Sequence, residues 1–257
     1  MTLSLRRRRG LTLIELTVVL LVLAATAGIL IPRLVNYGTR AHGAAGAANF
    51  AEIAKAIMLF ETNKNAYPNN WDSLLSPATG TGAPTQLYDK LNDDTPTATD
   101  FQIGALSAAE LTALTAVGIT TTQVHRANDA TGFDATFGCY QTGGTTTLTL
   151  AAAANQVVEL TATGKASLNL NTANRYLMFG LGSRSNLVGE GMIDAPVHYP
   201  EGAHTPATDY SRFVAVFQIT DGANVLSKAK LASVASHHEG ALASQGDHVK
   251  EYFESTQ

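Results

Sequence analysis

Arg6-Arg7-Arg8-Arg9-Gly10-Leu11-Thr12-Leu13-Ile14-Glu15 leads into the chain's one long apolar run, Leu11 to Ile31. Glu15 and three threonines are its only side chains that are neither apolar nor small. At about 1.5 Å per residue, a helix of this length extends about 30 Å, enough to cross a bilayer. The arginine block predicts that the start stays cytoplasmic and the rest lies beyond the membrane. Three ordinary readings compete: a cleavable secretory signal cut after Ala25-Thr26-Ala27, a plain membrane anchor, and a buried core helix, against which the arginines argue. Glu15 separates them. A carboxylate in an apolar span costs roughly 2.5–3.5 kcal/mol at a helix centre and less near its end, and an anchor or signal has no use for it. A cut between Gly10 and Leu11 would create an α-amino group four residues from Glu15. In an assembly, Glu15 of one subunit and that amine on its neighbour would neutralise each other.

Behind its short basic leader, Gly10-Leu11-Thr12-Leu13-Ile14-Glu15 resembles the prepilin cleavage site of type IV pilins and type II secretion pseudopilins. The resemblance implies that Gly10 is the last leader residue, read by a prepilin peptidase. It implies that Leu11 becomes the N-terminus and is N-methylated by the same enzyme, and that Glu15 serves docking into the filament. Pro32 matches the family's helix-kinking proline, whereas Leu11 stands where phenylalanine is commoner. The motif covers residues 6 to 32, and a looser likeness in helix pattern runs to residue 75. Tyr67-Pro68 and Trp71-Asp72-Ser73-Leu74-Leu75 have counterparts in pseudopilins; read alone, they form a loop that packs Trp71 back on the helix. Type IV pilins often close a C-terminal loop with a cysteine pair. The single Cys139 cannot, which favours a pseudopilin-like or minor-pilin-like subunit and makes Cys139 a small core residue.

The 257 residues are 45% hydrophobic and 15% charged, so most of the chain is expected to fold. A net charge of −4, from 17 basic and 21 acidic side chains, argues against a nucleic-acid partner. One cysteine excludes a disulfide-stapled mini-domain, and one apolar run excludes a multi-span membrane protein. Cleavage after Gly10 would delete four arginines and leave 13 basic against 21 acidic side chains, near −8.

Residues 33–49 collect Gly38, Ala41, Gly43, Ala44, Ala45, Gly46, Ala47 and Ala48. Small residues let helices approach closely, while each glycine costs a helix about 1 kcal/mol relative to alanine. Phe50, Ile53, Ile57 and Phe60 then recur at helical spacing with Ala54 beside them, the stripe expected to face the head. The helix is expected to stop between Thr62 and Asn65. Residues 76–100 read as loop, with a short helix at Gln86–Leu91. Ser107-Ala108-Ala109-Glu110 has capping-box spacing and opens a helix from Ala108 to Val117, closed by Gly118. Strand-like runs follow at Thr136–Gln141, Thr145–Ala151, Gln156–Thr163, Tyr176–Gly180 and Phe213–Thr220, with a hairpin turn at Gly143-Gly144. Residues 228–254 read as helical.

The chain has no nucleophile elbow and no Walker A loop. Gly180-Leu181-Gly182 lacks the third glycine of a dinucleotide loop. His237-His238-Glu239 lacks the second zinc-binding histidine at helical spacing; with Asp247 and His248 these side chains could still meet around a metal, and the preferred reading is a solvated polar tail. His198 and His204 read as surface residues. Calcium is the one cofactor candidate, because major pseudopilins often hold it in the head. Asn92, Asp93, Asp94 and Asp100, or Asn128, Asp129 and Asp134, offer oxygens, in spacings that also suit plain turns.

The expected fold is α+β: a long N-terminal hydrophobic helix packed on a C-terminal antiparallel β-sheet head. The expected divisions are a basic leader at 1–10, a transmembrane and assembly helix at 11–31, an amphipathic stalk at 32–65 and a globular head at 66–257. The expected function is a non-enzymatic structural subunit of a type IV pilus-like or type II secretion pseudopilus filament. Its expected partners are other pilin or pseudopilin subunits, the prepilin peptidase and an inner-membrane assembly platform. Its expected place is the inner membrane as a single-pass protein, then the filament. The alternative is an exported or anchored periplasmic protein with a ligand-binding or enzymatic head.

Overall fold

The computed structural model describes residues 12–78, 83–88, 91, 100–125, 133–134, 139–140, 146–197, 210, 212–238 and 241–254. The chain divides into two compact units, Met1–Ala45 with Val249–Gln257, and Gly46–His248. Helix α1 is Leu13–Lys64. It ends where Asn65 takes φ +52, the left-handed conformation that closes a helix. The remaining elements are β1 (Trp71–Asp72), β2 (Leu75–Ser76), β3 (Gln86–Leu87), β4 (Phe101–Gly104), α2 (Ala108–Thr115), β5 (Thr121–Val124), β6 (Phe133–Asp134), β7 (Cys139–Tyr140), β8 (Thr146–Thr149), β9 (Val157–Leu160), α3 (Ala162–Ser167), β10 (Tyr176–Gly180), β11 (Phe213–Asp221), β12 (Asn224–His238), β13 (Ala241–Ser244) and α4 (Gln245–Glu254).

Nine strands make one sheet in the order β13-β12-β11-β10-β1-β5-β8, with β9 also pairing β10 and β4 pairing β9. β10 and β11 are its centre, and their register sets Leu177 opposite Phe217 and Phe179 opposite Ala215. Both strands are buried on both faces. On one face Leu177, Phe179, Phe213 and Phe217 meet Phe50, Ile53 and Ile57 of α1 and Ala113 and Leu114 of α2. On the other, Met178, Val214 and Val216 meet Leu74, Leu75, Tyr88 and Phe101. Each fully buried side chain of this size contributes about 1.5–3 kcal/mol. The stripe from Phe50 to Phe60 therefore fixes residues 46–64 of α1 in the second unit. Trp71 joins the same cluster, its ring edge against Phe217 and its indole N–H donated to the Pro68 carbonyl.

Two corrections concern the fold. The sheet is mixed rather than antiparallel, because β1 and β5 run parallel, with Trp71 opposite Thr122 and Asp72 opposite Gln123. Nor is there one long hydrophobic helix packed on a head. Leu13 to Ile31 is apolar but exposed, with eleven large side chains from Leu13 to Ile31 open to solvent. The part of α1 buried in the sheet's unit is amphipathic, with Glu52 and Lys55 exposed. The expected inner-membrane, single-pass placement is corrected as well: among the described residues, no helix is long and apolar enough to cross a membrane. Between the charges of Glu15 and Arg33 the sequence leaves 17 residues, the short end of the roughly 17–25 that spanning helices use.

Smaller differences have local causes. Gln86–Leu91 does not begin as a helix, because Gln86 and Leu87 pair with β2, Leu87 opposite Leu75. The segment 228–238 belongs to a strand, β12. Its pairing with β11 shifts register between Val216 and Phe217 and again between Gln218 and Thr220. Such bulges break the alternation by which a strand is recognised and leave a spacing that imitates a helix. Helix is confined to Gln245–Glu254. The run Gln156–Thr163 stops as a strand at Leu160, since Thr161 caps α3. Helix α2 has both halves of the expected capping box. Gly118 follows it at φ +86, and a Cβ there would sit 2.8 Å from Cβ of Ala66. The Gly143-Gly144 turn lies outside the described residues.

Candidate functional site

Gly10 and Leu11 lie outside the described residues. Pro32 falls within α1, and its side chain is outside the described ones. Glu15 sits in the first turn of α1, exposed. Its carboxylate Oε2 accepts from the Thr12 backbone N–H at 2.8 Å and from the Thr12 hydroxyl at 2.9 Å. The Glu15 N–H donates to the Thr12 hydroxyl at 3.3 Å. This reciprocal pair is a capping box, satisfying donors that every helix start leaves open. The spacing of Thr12 and Glu15 was visible in the sequence, and it is the same as that of Ser107 and Glu110. Both partners lie beyond Leu11, so a cut after Gly10 leaves the box whole. The side chains that follow are apolar and exposed: Leu16, Leu20, Leu21 and Leu23 are all more than half open. Large exposed apolar patches are the kind of feature that interaction surfaces show.

The second constellation is buried in the head and was missed from sequence. Asp72 ends β1, His125 follows β5, and Tyr210 and Arg212 precede β11. All four are at most 2% exposed. The Tyr210 hydroxyl donates to Asp72 Oδ2 at 2.9 Å. The same oxygen lies 3.9 Å from His125 Nε2. The imidazole stacks on Tyr88, ring centres 4.0 Å apart, and meets Tyr210 edge-on. Neither ring nitrogen has a hydrogen-bond partner among the described residues. Arg212 donates to the Ala195 carbonyl at 3.2 Å. Burial, then the Arg212 charge, depresses the His125 pKa to about 3, so the imidazole is neutral. Burial and the Asp72 charge push the Tyr210 phenol well above its ordinary value. The two glycines that suggested a nucleotide loop serve this cluster instead. A Cβ on Gly180 would lie 1.8 Å from the Tyr210 oxygen, and one on Gly182 2.0 Å from Asp72 Oδ1. Sealed from solvent, with a carboxylate, a cation and two neutral rings, the cluster ties β1, β5, β10 and the start of β11 together.

Most of the metal candidates fall outside the described residues. Asp93, Asp94 and Asp129 lie outside the described residues, as does the side chain of Asp134. Asp100 is buried, and its Oδ2 accepts from the Leu242 N–H at 3.1 Å, a structural use of the carboxylate. Asp247 accepts from the Ser244 N–H and hydroxyl, a third cap of the kind made by Glu15 and Glu110. The His248 ring is buried, 5.2 Å from that of Phe50. The side chains of His237, His238 and Cys139 lie outside the described ones, as do His198, His204 and Glu239 altogether. Among the described residues no group of three or more His, Cys, Asp and Glu side chains is placed to hold a metal.

No family model, no curated protein and no solved structure matches this chain.

Proposed function

We propose that this chain is a structural subunit of a type IV pilus-like or pseudopilus filament, matured by a prepilin peptidase and assembled through its N-terminal helical segment. The observation that supports this most is the start of α1. The residues of the cleavage motif, Thr12 to Glu15, form a closed helix cap that stays intact after removal of the leader. Directly behind it comes an exposed apolar face with no partner inside the chain among the described residues. A protein with no assembly to enter gains nothing from exposing such a face. The partners on this reading are further subunits, the peptidase and an assembly platform. On this reading the head acts by shape rather than by catalysis, and the cluster of Asp72, His125, Tyr210 and Arg212 is sealed from solvent.

The test is intact-mass and N-terminal analysis of the full chain co-expressed with a prepilin peptidase. The expected product begins at Leu11 and carries one added methyl group. A product that begins at Gly28, or retains Met1, overturns the proposal.

A further inference from the structure

Gly46 stands inside α1, where a glycine weakens a helix relative to alanine. Gly46 is buried, while Ala44 and Ala45 before it are exposed. A Cβ on Gly46 would lie 2.9 Å from Nδ1 and 3.0 Å from Cγ of His248. That imidazole is 3% exposed, its centre 5.2 Å from the ring of Phe50, one turn further along α1. Phe50 in turn meets Phe213 of β11 edge-on, ring centres 5.0 Å apart. The side chain that Gly46 lacks is therefore the room in which a ring from α4 is seated.

We propose that α4 is a releasable strap, keyed to α1 by the His248 ring in the notch at Gly46. The inference is independent of the filament reading. Three observations support release as a unit. The cap at the start of α4, Asp247 accepting from the Ser244 N–H and hydroxyl, reaches no further than the last residue of β13. The pairing of β12 with β13, from Ala235 opposite Ser244 to His238 opposite Ala241, uses no residue of α4, so the strap can lift and leave the sheet whole. Gln245, Asp247, Val249 and Lys250 are exposed, so among the described side chains of α4 the contact is carried by His248. Ten residues are also too few for a helix to persist in water without tertiary contact. Unseating the ring therefore melts the helix as well, which makes the strap a two-state element rather than a surface that loosens by degrees.

The test is limited tryptic digestion of the full chain in detergent, read by mass spectrometry as the rate of cleavage after Lys250. Gly46→Ala sets a methyl group against the ring and should raise that rate about tenfold or more, because cleavage follows the population of the opened strap. His248→Ala leaves α1 as it is and should raise the rate as much. The double variant should cleave no faster than His248→Ala, since the methyl group acts through the ring alone. Circular dichroism should show all three heads folded. A wild-type rate in His248→Ala overturns the strap, whatever Gly46→Ala does. A double variant that cleaves about tenfold faster than His248→Ala shows that Gly46 acts by another route, and overturns the notch as its seat.

Discussion

Acidification should weaken the head through His125, and the effect is isolated by one substitution. The folded chain holds the His125 pKa at about 3, against an ordinary value of 6.5. Between those values the unfolded chain takes a proton that the folded chain refuses, so folding stability falls as pH falls from about 6.5 toward about 3. One proton carried over one pH unit is worth about 1.4 kcal/mol. Going from about pH 7.5 to about pH 4.5 should then cost about 2.5 kcal/mol from this residue alone, because the loss begins only below the ordinary value. The groups facing the ring are Asp72, Tyr88, Tyr210 and Arg212, and Asp72 at 3.9 Å is too far to hold a proton on Nε2 by a hydrogen bond. His125→Phe keeps a ring stacked on Tyr88 and removes the titration. Urea unfolding of both proteins at the two pH values should show the wild type losing about 2.5 kcal/mol more than the variant. Carboxylates held low by their partners, such as Glu110, lose stability at lower pH in both proteins and cancel in the comparison. Equal pH slopes, or a His125 proton resonance that titrates near the ordinary value, would refute the reasoning.

Other consequences are local. Tyr210→Phe removes the hydroxyl that donates to buried Asp72 and should cost about 1.5–3 kcal/mol in urea unfolding. Gly182→Ala sets a methyl group 2.0 Å from Asp72 Oδ1, with the carboxylate walled in, and should cost more than Tyr210→Phe in the same assay. Arg175 donates to both Glu110 and Glu159 and to the Ala105 carbonyl, so Arg175→Met leaves two part-buried carboxylates without their cation. A loss of about 2 kcal/mol is expected, reduced when Glu159→Gln is added, read by thermal melting of single and double variants.

What could be read from the sequence follows the range of the forces involved. The stripe Phe50, Ile53, Ile57 and Phe60 and the cap Ser107–Glu110 are written in neighbouring residues, and the structure has both. The strands at Tyr176–Gly180 and Phe213–Asp221 announce themselves as continuous apolar runs because they are covered on both faces. Thr12 and Glu15 were equally legible, since their spacing is that of Ser107 and Glu110. β12 was not legible, since its register shifts scramble the period. The buried cluster was not either: Asp72, His125, Tyr210 and Arg212 are spread over 141 positions and carry no shared motif. Only the sheet brings them together, and the nearest hint was a pair of glycines, Gly180 and Gly182, with no loop for them to shape.

The two-residue strand β1 is the seam of the head. It joins β10 on one side, Asp72 opposite Gly180, and β5 on the other, Trp71 opposite Thr122. Asp72 must wait for a partner 108 positions further along the chain. Closing so long a loop is entropically slow, and parallel pairing with β5 adds a second non-local step. During synthesis the pairing of β1 with β10 therefore cannot form until Gly180 has emerged. Completion of the head is gated by when this seam is sewn. On the proposed filament reading, the exposed apolar segment of α1, translated first, has to avoid premature contacts for the whole of that interval.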